Sequence, residues 1–94
     1  MEGRIYLPNI ELAVSKVKSL QDQLTPYASY VPEVAKDVST IIELLGTPSK
    51  GNITESLEKL KAVKKTLEGL RSMAPDMVDP LIKQIDEAIE GLNI

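Results

Sequence analysis

The chain has 94 residues and a net charge of −3, and it contains no His, Cys, Phe or Trp. That length supports one small domain, read here as residues 1–94. The missing Cys excludes disulfide staples and thiolate chemistry, and the missing His removes the commonest general base and zinc ligand.

Apolar content of 43% and charged content of 27% are ordinary for a globular protein, so the core must be aliphatic. The opening "MEGRIYLPN" has no apolar run of the signal-peptide kind. No stretch approaches the roughly 18–20 apolar residues of a membrane span. A cytoplasmic location is therefore expected. "RIYL" reads as a short extended arm.

Helical periodicity begins after Pro8 and Asn9, which suit a helix start. Ile10, Ala13, Val14, Val17, Leu20 and Leu24 fall on one stripe at spacings of three and four. Pro26 stops this helix, because proline disfavours the helical conformation in the residue before it. A second helix opens near Pro32, with Glu33 placed to meet its dipole. Val34, Val38, Ile41, Ile42 and Leu45 form its stripe, and Gly46 suits a left-handed position at its end. The third helix is expected to open at Asn52, with Glu55 completing a capping box. Its stripe is Ile53, Leu57, Leu60, Val63, Leu67 and Leu70, closed by Pro75. The fourth is expected at Asp79 and Pro80 and carries Leu81, Ile82, Ile85, Ala88, Ile89 and Leu92.

No window alternates with period two for the length of a strand. The expected fold is all-α: a small four-helix bundle made of two antiparallel helical hairpins. Hairpin one covers about 8–46, the joint 46–52, and hairpin two about 52–94. Each half carries a proline pair between its helices, "LTPYASYVPEV" and "SMAPDMVDPLI", which suggests an internal pseudo-repeat.

The joint "GTPSKGN" has the outline of a phosphate loop. A true one needs lysine and a hydroxyl residue after the second glycine, and a strand before the loop. Here Gly51 is followed by Asn52 and preceded by Lys50, and a helical stripe runs into the loop. Helix ending and helix capping explain the same residues. Asp86, Glu87 and Glu90 gather near the C-terminus, but they read as a solvated face with Lys83 one turn from Glu87. The Asp-Ser-Leu signature of small acidic carrier proteins is broken, since Val38 separates Asp37 from Ser39. Calcium-loop and di-iron patterns are missing as well. No cofactor, metal site or catalytic residue is assigned, and a non-enzymatic role is expected.

Two sets of residues remain as contact candidates. Tyr27 and Tyr30 lie in a proline-bounded loop, where they either cap the core or meet a partner. Leu12 and Leu44 fall off their stripes, and Met73 and Met77 flank Pro75. The second set is the basic stretch "EKLKAVKKTLEGLR", with Lys59, Lys61, Lys64, Lys65 and Arg71. Glu58 and Glu68 interleave with these cations, which favours pairing within the helix, as between Lys64 and Glu68, over phosphate contact. The expected function is therefore a protein–protein interaction or structural assembly module, self-association included. The alternative is a small nucleic-acid-associated regulator using the third helix. A third reading is a carrier of an apolar ligand in the bundle core.

Overall fold

The computed structural model describes residues 9–92. Pro8 and the "RIYL" arm lie outside the described residues. Four α-helices and no strand occur among the described residues: α1 Ile10–Leu24, α2 Pro32–Gly46, α3 Lys50–Glu68 and α4 Pro75–Leu92. The chain is an all-α bundle, as its periodicity predicts.

The start of α1 follows the sequence reading. Asn9 caps it, its Oδ1 accepting the Leu12 N–H at 3.0 Å. After Leu24 the chain tightens into a 3₁₀ turn, Thr25–Tyr27, with Pro26 inside. Pro32 is the first residue of α2, where its missing N–H leaves no helical partner waiting.

The joint is built differently from expectation. No described glycine has a positive φ, so Gly46 ends α2 without a left-handed residue. Ser49, not Asn52, caps α3, its Oγ accepting the Asn52 N–H at 3.1 Å. The side-chain amide of Asn52 reaches back instead. It donates to the Leu44 carbonyl at 3.3 Å and the Thr47 carbonyl at 2.8 Å. One residue thus satisfies carbonyls that the end of α2 leaves open, and the joint shortens to Thr47–Ser49.

The second departure is at α4. The helix opens at Pro75, and Pro80 sits inside it. Pro80 removes the N–H that would meet the Asp76 carbonyl, and both residues are exposed. Val78 provides the compensation: it is fully buried and continues the stripe of Leu81, Ile82 and Ile85 by one more turn. At the other side of this connection Leu70, expected in α3, lies in the turn after Glu68.

The helices form a ring in which α1 packs on α2 and α4, and α3 packs on α2 and α4. The α1–α4 and α2–α3 faces are the broadest, so the two hairpins are closed against each other along both sides. Leu20, Ile41, Leu60 and Ile85, one from each helix, are shielded completely. The backbone N–H of Asn9 donates to the Gly91 carbonyl at 2.6 Å, tying the start of α1 to the end of α4.

Among the described residues, charge pairing runs between elements and not along one helix. Glu87 meets Lys16 of α1 at 3.0 Å, where Lys83 was the expected neighbour. Lys64 meets Asp86 of α4 at 2.7 Å, where Glu68 was expected. The Lys64 ammonium is held above its usual range, chiefly by its hydrogen bond to Asp86. These surface pairs stabilise little individually.

Among the described residues Ser56 is the one polar residue that packs into the core, and its Oγ has no hydrogen-bond partner. A buried hydroxyl without a partner is destabilising, and alanine is the better helix former. Ser56→Ala is expected to raise stability by about 1 kcal/mol. Urea titration reads the effect, and a loss of stability would mean that the hydroxyl is satisfied in solution.

Candidate functional site

The two short connections, after α1 and after α3, lie at the same end of the bundle and are built alike. The Tyr27 carbonyl accepts from the N–H groups of Tyr30 at 2.9 Å and Val31 at 3.3 Å. The Leu70 carbonyl accepts from those of Met73 and Ala74, both at 3.0 Å. Pro32 and Pro75 then open the next helices. Tyr27, Tyr30, Val31 and Pro32 therefore answer Leu70, Met73, Ala74 and Pro75 in register. This is not the correspondence expected from the proline pairs, which matches Pro26 with Pro75 and Pro32 with Pro80; the structure brings Pro32 into register with Pro75. Pro26, in the 3₁₀ turn, and Pro80, inside α4, have no equivalent positions.

The consequence of this geometry is a paired display. In each turn the first residue, Tyr27 or Leu70, is half-buried against the core. The fourth points outward: Tyr30 is 81% exposed and Met73 74%. Tyr27, Tyr30, Val31, Leu70, Met73, Ala74 and Met77 together line one apolar depression. Four of the six apolar contact candidates thus converge on a single surface. Tyr27 both caps the core and lines the depression.

Leu12 and Leu44 do not join them. Leu12 stands in the first turn of α1, 40% exposed, and Leu44 is half-buried in the last turn of α2. Both helix ends point away from the turns. Val31, Leu70 and Ala74 were missed as lining residues. The signal that could have found them is the in-register repeat of the turns, which the proline spacing obscured.

The basic set is not gathered into one surface. Lys64 is engaged by Asp86, and Arg71 by Asp79 at 2.8 Å. Lys59 and Lys50 line a shallow open groove together with Asp37, Glu55 and Glu58. Carboxylates interleaved at this density oppose the approach of a phosphate. The same groove contains Gly51 of the "GTPSKGN" joint, in the first turn of α3 and preceded by a helix in place of a strand.

Among the described residues no group of His, Cys, Asp or Glu is arranged to hold a metal ion. No described helix is long and apolar enough to cross a membrane. Fold and site together define a small four-helix bundle with an apolar surface at the end that carries the two turns. In comparisons with protein-family models, with curated proteins and with solved structures, nothing matches the chain.

Proposed function

We propose that the chain is a non-enzymatic interaction or assembly module of the cytoplasm that engages a protein partner through the loop end of its bundle. The observation that carries this reading is the exposed display of Tyr30 and Met73 over an apolar floor shared by both turns. Tyrosine supplies a large contact area with few rotors to freeze, and methionine adapts to the shape of what it meets. Rigid helices hold both turns, so little ordering entropy is lost on contact. The nucleic-acid reading has less support, because Lys64 and Arg71 are neutralised by carboxylates of α4.

The test is photo-crosslinking in cells, with a benzophenone amino acid at Tyr30 and, as control, at the exposed Glu58. A discrete product is expected from position 30 alone, lost when Met73→Ser is added. The mass of that product separates a heterologous partner from a second copy of the chain. If position 30 gives no product and light scattering finds a strict monomer, the reading fails. A salt-dependent shift with RNA or DNA, abolished by charge reversal at Lys61 and Lys65, would favour the alternative.

A further inference from the structure

Each turn of the apolar end is followed by an acid. Glu33 follows Pro32 and Asp76 follows Pro75, so each turn delivers a carboxylate to the second residue of the next helix. Both acids are exposed. Asp76 lines a second depression with Tyr27 and Met77, residues that also line the first, so the carboxylate borders the same apolar surface. Asp79 stands one turn further on and already holds Arg71. Among the described residues neither Glu33 nor Asp76 has a cationic partner within ion-pair distance. Both lie in the first turn of a helix and are open to solvent. An apolar floor with Asp76 at its border, and Glu33 at the matching position after the other turn, has a preference for what it binds.

We propose that this end docks a basic amphipathic segment of a partner protein. An apolar side chain of the segment seats over Tyr27, Met73 and Met77, and flanking Lys or Arg residues meet Glu33 and Asp76. This deepens the functional reading given above and rests on it. A second copy of the chain is a poor occupant, because it would bring the same acids together. The floor is also small, with seven lining residues against about 20–30 a side in a standard interface. A segment laid into a groove needs only a few anchors. Methionine at the edge lets the floor adjust to different apolar side chains.

Fluorescence anisotropy with three synthetic amphipathic peptides tests this directly. They share one leucine pattern and carry Lys, Gln or Glu at every polar position. The Lys peptide is expected to bind the full chain, the Gln peptide about tenfold more weakly, and the Glu peptide not at all. Added salt should weaken the Lys peptide selectively. A Glu33→Lys/Asp76→Lys variant should invert the order of the Lys and Glu peptides, and a Tyr30→Ser/Met73→Ser variant should lose all binding. All four positions are exposed, so the fold tolerates both variants, and circular dichroism verifies it. Absence of Lys-peptide binding, or equal binding of that peptide to the charge-reversed variant, overturns the proposed partner chemistry. Unchanged binding to the Tyr30→Ser/Met73→Ser variant overturns the apolar end as the contact surface itself.

Discussion

Ile85→Ala is expected to destabilise the bundle by about 2–5 kcal/mol. Ile85 is completely shielded, midway along α4, the helix that packs on both α1 and α3. Truncation removes the transfer free energy of the lost methyl and methylene groups. It also leaves a cavity that rigid helices on two sides cannot close. For a domain of this length total stability is about 5–14 kcal/mol, so one substitution removes a large part of it. Ile53→Ala is the informative comparison. Ile53 belongs to the α3 stripe by spacing but is only half-buried. Its loss should cost about 1 kcal/mol, since much of the side chain already meets water. Urea midpoints of the two variants measure the difference, and equal midpoints would contradict the packing described.

Gly91→Val is expected to destabilise by about 1–3 kcal/mol, from crowding where Ile85→Ala acts through a void. A Cβ at Gly91 would stand 3.2 Å from the Asn9 carbonyl oxygen and 3.4 Å from the Ala13 backbone nitrogen. Backbone atoms cannot rotate aside as a side chain can. The end of α4 would have to withdraw from α1, lengthening the 2.6 Å hydrogen bond from Asn9 to the Gly91 carbonyl. Gly91→Ala meets the same contact with fewer atoms and recovers about 1 kcal/mol of helix propensity, so its net effect should be small. A valine variant as stable as the wild type would show that the two helices do not approach this closely in solution.

Gly91 also illustrates what a single sequence conceals. In the sequence it is one glycine near the end of an amphipathic stripe, and periodicity gives no reason for it. Its role exists only when α1 and α4 lie side by side. The joint conceals its design in the same way. Asn52 and Glu55 have the spacing of a capping box, and Ser49 is an equally good capping residue three positions before Asn52. Local rules alone do not choose between them. The choice follows from the end of α2, where the Leu44 and Thr47 carbonyls need donors and the Asn52 amide is within reach. At α4, Asp79 and Pro80 are a sound helix start by local chemistry. Burial of Val78 in the core outweighs that signal and moves the start back to Pro75. Asp79 is left exposed on the helix surface, where Arg71 holds it.

For the candidate site, composition and loop position identified Tyr27, Tyr30, Met73 and Met77 individually. Helical spacing with prolines between the stripes was enough to determine an all-α chain of four helices, because aliphatic residues at three- and four-residue intervals leave a sheet no face to bury. The tertiary structure alone decided that the two turns are built in register at one end of the bundle and that their side chains share one floor. It also decided that Lys64 of α3 and Arg71 in the turn after it meet carboxylates of α4. Those outcomes depend on which helix faces which and at what axial height, and a periodic stripe is the same whichever neighbour covers it.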